Sequence, residues 1–225
     1  MPDEPTNPGD VVVVGQRRTA PSDPFPGLPA YVEPGGEFDE REPIGEQPDP
    51  CANPVTRREW DRDAAAASAR KKIEAAALLA GETGLTHRER ACWLLRQPDG
   101  SIIASSPIEG DVFQPGVTPT TFMDPYAVGD MSQIVGIVHN HDIGFHAPSS
   151  ATGNYGGDAA ALATLQNIMS TYPSNDGWEA RLYIVAQTTT SPPYNMINVY
   201  GPDTIGQGLG PEVNPDADEQ ACPVD

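Results

Sequence analysis

The sequence predicts an α/β domain, a mixed sheet packed with helices, between two irregular arms. Three observations carry this. Two segments show helical periodicity, residues 61–80 and 157–172. Short β-branched or apolar runs at 90–97, 101–107, 132–141, 180–187 and 194–201 read as strands. The order of helix, two strands, loop, strand, helix and two strands packs helices on one mixed sheet.

Each element has its local reason. Residues 1–55 are crowded with Pro, Gly, Asp and Glu and bury too little apolar surface to offset their ordering entropy. Their one apolar run, Val11 to Val14, either adds a strand to a sheet edge or stays extended. "DRDAAAASARKKIEAAALLA" is rich in the best helix former. Ala66, Ala69, Ile73, Ala76 and Ala80 trace one face of it, and acidic residues stand at its start. Gly81 and Gly84 stop it. "RACWLLRQ" and "SIIASSP" flank Pro98-Asp99-Gly100, a turn signal for a hairpin. Residues 110–130 read as loop. "SQIVGIVHNH" is too short and β-branched for a helix and reads as a buried strand. After a Gly/Ser-rich loop at 142–157, "GDAAALATLQNIMSTY" places Leu162, Leu165 and Met169 on one helix face. The expected plan is an arm at 1–55, a domain at 56–202 and an acidic tail at 203–225.

The net charge of −19 argues against several partners. Such a chain repels nucleic-acid phosphates and anionic membrane surfaces. Its densest basic cluster, Arg70-Lys71-Lys72, reads as a solvated helix face. A peptide partner is therefore expected to be neutral or basic. No window holds the eighteen apolar residues of a membrane span. The opening "MPDEPTNPGD" reads as a mature N-terminus with its export signal removed and a methionine added, which points to a periplasmic or secreted protein. Cys92 reads as a buried thiol. Cys51 and Cys222 flank the domain and are either bridged in an oxidising compartment or left as free thiols.

The chemistry concentrates in "IVGIVHNHDIGFH". Three of the four histidines, His139, His141 and His146, fall within eight residues. Strand alternation aims His139 and His141 to one face, with Asn140 facing away. Two imidazoles on one rigid face suit zinc, which takes a third protein ligand and leaves a position for water when catalytic. Asp142, His146 and Asp158 are the candidates for that third ligand. Asp158 opens the second helix after Gly156-Gly157 and is the best placed of them. His146 and His87 otherwise read as loop and surface residues. The letters "HNH" carry no nuclease motif.

This arrangement resembles the JAB/MPN metalloprotease domain, whose signature is the JAMM motif, in its divergent bacterial type. The resemblance covers roughly residues 60–201 as an order of elements and rests on four positions. It implies a cytidine-deaminase-like, MPN-type core, zinc held by His139, His141 and Asp158, and Glu89 as general base. Glu109, in a stretch that reads as turn, and Asp111 are weaker choices for the base. It also implies a serine as oxyanion donor. Ser149 has the family spacing from His141, but six extra loop residues separate it from Asp158, and Tyr155 stands three residues before that aspartate. The implied activity is zinc-dependent hydrolysis of a peptide or isopeptide bond. The rival is a non-catalytic binding module of the same fold, serving in immunity, assembly or secretion.

Overall fold

The computed structural model describes residues 11–14, 49–85, 87–114, 119–149, 157–220 and 222–223. The first strand, β1 (Val11–Val14), pairs antiparallel with β5 (Thr120–Met123) in a two-stranded ribbon beside α2 (Gly157–Ser170). The long helix α1 spans Pro54–Leu79. A seven-stranded sheet follows: β2 (Arg88–Arg96), β3 (Ile102–Ala104), β4 (Ile108–Val112), β6 (Ile134–Asn140), β7 (Leu182–Gln187), β8 (Asn195–Tyr200) and β9 (Glu212–Val213). Its order is β3-β2-β6-β7-β8-β9, with β4 pairing the other half of the same β2 edge. All pairs are antiparallel except β6 with β7, which α2 connects. The α/β class with a mixed sheet and two helices is thus present.

Register separates the two faces. Cys92, Val138 and Tyr183 are cross-strand neighbours on one face, and Ala91, His139 and Ile184 on the other. The first face packs on α1, where Tyr183 Oη donates to Asp63 Oδ1 at 2.9 Å. The second face carries α2, whose Leu162, Leu165 and Met169 are buried as their spacing predicts. The β2–β3 hairpin turns at Gly100, which has φ 87°.

Several expectations are corrected. α1 begins two turns before residue 61, because Asn53 caps it through Oδ1 and Pro54 fills its first position. Its first turn therefore holds no acidic residue. The buried stripe of α1 runs through Ala66, Ala69, Ile73 and Ala77, while Ala76 is half-buried and Ala80 exposed. Residues 108–112 and 120–123, expected as turn and loop, are strands because they find partners in β2 and β1. The stretch beyond residue 202, expected as an irregular tail, adds β9 to the sheet with Val213 buried. Cys51 and Cys222 form a disulfide across 171 residues of chain, which ties the start of α1 to the C-terminal segment. Cys92 is a buried free thiol, pushed up to about 12 chiefly by burial. Among the described residues no helix is long and apolar enough to cross a membrane.

Candidate metal centre

β6 delivers both imidazoles. All seven of its residues are buried, as expected for a strand covered on both faces. His141 follows directly, its N–H donating to Val185 O at 2.9 Å, so the chain stays extended past the strand end. The two-residue period then points His139 and His141 toward α2. Their Nε2 atoms lie 2.8 Å apart.

Asp158 meets them from the first turn of α2. Its Oδ1 is 3.2 Å from His139 Nε2 and its Oδ2 is 3.3 Å from His141 Nε2. Gly157, with φ 68°, makes the left-handed entry that a side chain would strain. Ser149 pins the carboxylate from across the loop: its N–H donates to Asp158 Oδ2 at 2.6 Å, and its Oγ accepts the Asp158 N–H at 3.2 Å. The last contact caps the helix. His139, His141 and Asp158 are 0% exposed.

Burial alone would raise the Asp158 carboxyl. The imidazoles of His139 and His141 outweigh it and hold the group well below the usual carboxylate range. The positive end of α2 acts in the same direction. Burial lowers His139, against the pull of Asp158.

The residues fit a metal ion. His141 Nδ1 lies 3.1 Å from Phe145 O, and donation there leaves the Nε2 lone pair free for a cation. An ion about 2.0–2.1 Å from each ligand at the tetrahedral angle separates its ligand atoms by roughly 3.3 Å. The contact of each imidazole with its nearer carboxylate oxygen is close to that edge, although the two contacts use different oxygens, and the imidazole pair is tighter. Among the described residues, His139, His141 and Asp158 form the one group of three or more such side chains whose ligand atoms lie within 4.8 Å of one another. Two imidazoles and a carboxylate could hold zinc or another borderline divalent ion such as ferrous iron.

Glu89 is fully buried in β2. Ala91 is the cross-strand neighbour of His139, so Glu89, two residues earlier, shares the histidines' face and lies toward His141. Glu109 sits instead in β4, half-exposed, with its carboxylate 3.5 Å from both Arg88 and Arg90. Asp111 accepts from Thr120 N and Oγ1. Neither stands with the triad. Asp142 accepts from Ile143 N, and His87 is exposed. His146 is half-buried, outside the triad, its carbonyl accepting from Tyr200 Oη at 2.8 Å. Tyr155 lies outside the described residues. The extra loop residues do not part Ser149 from Asp158.

Two features escape sequence reasoning. Tyr200 anchors the loop after His141, and Asn140 bonds to three backbone groups 50–55 residues upstream. No local pattern announces either. Comparison with protein-family models, curated proteins and solved structures finds no match.

Proposed function

We propose that this chain is a zinc-dependent amide hydrolase with a divergent JAB/MPN-type core, cleaving a peptide or isopeptide bond. One observation carries the reading: among the described residues the buried centre offers three protein ligands, where a structural zinc site is closed by four. A three-ligand set leaves a fourth coordination position open for water.

His139, His141 and Asp158 would hold the ion. Zinc would supply a Lewis acid that activates water and polarises the scissile carbonyl. Glu89, on the same face, takes the proton from the attacking water and delivers it to the leaving amine. Ser149 Oγ accepts from Asp158 N, which leaves its own proton free to donate to the developing oxyanion. The proximity of Ser149 to Asp158 favours it over Tyr155 as that donor. The acidic chain suits a neutral or basic peptide. The disulfide supports an exported, periplasmic or secreted setting.

A second reading, the non-catalytic binding module, is favoured by the full burial of His139, His141, Asp158 and Glu89. Elemental analysis and peptidase assays on peptide libraries separate the two. The hydrolase reading expects one zinc per chain, lost in His139→Ala. It also expects hydrolysis that falls about 10²–10⁴-fold in Glu89→Gln with zinc retained. Full activity in Glu89→Gln sinks the base assignment. Zinc binding with no cleavage of any amide favours the binding module.

A further inference from the structure

The ladder between β2 and β6 stops one residue short of where it is needed. Its last pair toward the start of β2 is Ala91 with His139. Beyond that point the side chain of Asn140 takes the place of backbone pairing. Its Oδ1 accepts the Arg90 N–H at 2.7 Å, and its Nδ2 donates to Arg88 O at 2.9 Å and to Leu85 O at 3.0 Å. The Arg88 carbonyl and the Arg90 N–H belong to the two peptide groups that flank the Glu89 Cα. One buried carboxamide thus holds both peptide planes, which fixes the direction of the Glu89 Cα–Cβ bond.

The other edge of β2 is shaped at the same residue. Arg88 pairs with Val112 but Arg90 pairs with Glu109, so β4 carries an extra residue opposite Glu89. Such bulges re-aim side chains. A Cβ on Gly110, inside this bulge, would stand 2.0 Å from Thr121 Oγ1 and 2.6 Å from Thr120 O, so only glycine fits. The next residue is locked as well: Arg90 makes a two-pronged bond to Glu82 at 2.7 and 2.9 Å.

We propose that Asn140 is the positioning residue that sets Glu89 against the His139–His141–Asp158 group. Its catalytic consequence rests on the hydrolase reading, whereas the placement does not. The strand alternation that sends His139 and His141 to the metal face sends Asn140 to the opposite one. One tripeptide therefore supplies two ligands and, through the sheet, holds the base.

The test is a zinc titration followed by carbon-detected NMR of the side-chain carboxyls, with Glu89 assigned by its loss in Glu89→Gln. The expected result is a Glu89 resonance that shifts with stoichiometric zinc in the wild type. In Asn140→Ala zinc still binds, within about tenfold, but that resonance no longer shifts and exchange of the Arg90 amide speeds more than tenfold. In assays, Asn140→Ala lowers kcat about a hundredfold with KM little changed, and adds nothing to Glu89→Gln. If Asn140→Ala does not fold, Asn140→Asp serves: it keeps the acceptor for Arg90 and removes both donations. A Glu89 resonance that responds to zinc equally in wild type and variant overturns the proposal, as does a full additional loss in the double variant. A wild type that shows the zinc-linked shift but cleaves nothing overturns the hydrolase reading and leaves the positioning standing. No zinc uptake by the wild type overturns both.

Discussion

Two aspartates on opposite faces of the sheet show what burial does and what overrides it. Asp63, on α1, is raised to about 6, chiefly by burial, although Tyr183 donates to it and Arg62 and Arg181 stand near. Asp158, on α2, is buried more completely yet is held low by His139 and His141. The α1 face ends these polar groups in donor–acceptor contacts: Tyr183 on Asp63, Asn140 on three backbone groups, Arg90 on Glu82. The α2 face turns lone pairs toward one another around a common point. The first arrangement stabilises a fold, and the second could hold a cation.

The strongest way to break this contrast is at the centre itself. Asp158→Ala removes the one charged ligand, and zinc affinity should fall by at least about 10³-fold, whereas loss of an outer-shell partner costs about 10–100-fold. Calorimetric titration with zinc checks it, and near-unchanged affinity would show that the carboxylate serves only to hold the Ser149 backbone.

Reduction of the Cys51–Cys222 bridge tests the other face. The lost cross-link should lower the unfolding free energy by about 2–4 kcal/mol in urea titrations. Zinc affinity at 25 °C should stay within about threefold, because Cys222 N contacts Asp61 and Arg57 contacts Pro223, all remote from α2. A large loss of zinc on reduction would couple the faces.

Asp63 sharpens the electrostatic half. Its folded pKa lies above the ordinary 3.8, so its contribution to stability is fully present below about pH 4 and is lost as pH rises through about 6. Asp63→Asn should remove that decline and be more stable than wild type at pH 7 by about 1–3 kcal/mol. Equal slopes for the two proteins between pH 4 and 6 would refute the burial argument.

The smallest effect on stability belongs to Ser149→Ala. The backbone N–H to Asp158 Oδ2 survives, and of the contacts in the folded chain the Oγ cap is lost, about 1 kcal/mol in thermal unfolding. A much larger thermal loss would mean that the hydroxyl holds the loop as well as the helix.

What the sequence made legible was whatever depends on alternation or local capping. The β-branched run 134–138 and the i, i+2 histidines located β6 and its face, and an aspartate after two glycines located the start of α2. The early start of α1 was also readable, since Asn53-Pro54 is a cap followed by a first-turn proline. β4 and β5 were not, because "IEGDV" and "TTFM" become strands only by pairing with β2 and β1. The two-residue β9 depends likewise on β8. At the centre, Glu89 was named only through the family resemblance, and the Asn140 contacts to the peptide groups around it join residues 50–55 apart.

The Cys51–Cys222 bond also turns nearly the whole folded unit into a closed ring. A single cut anywhere between those cysteines opens the ring without releasing a fragment. Nicked and intact protein would then have the same covalent composition apart from one water. They would separate into distinct pieces by electrophoresis only after reduction. A single clip inside the ring thus leaves the chain one molecule until the bridge is reduced.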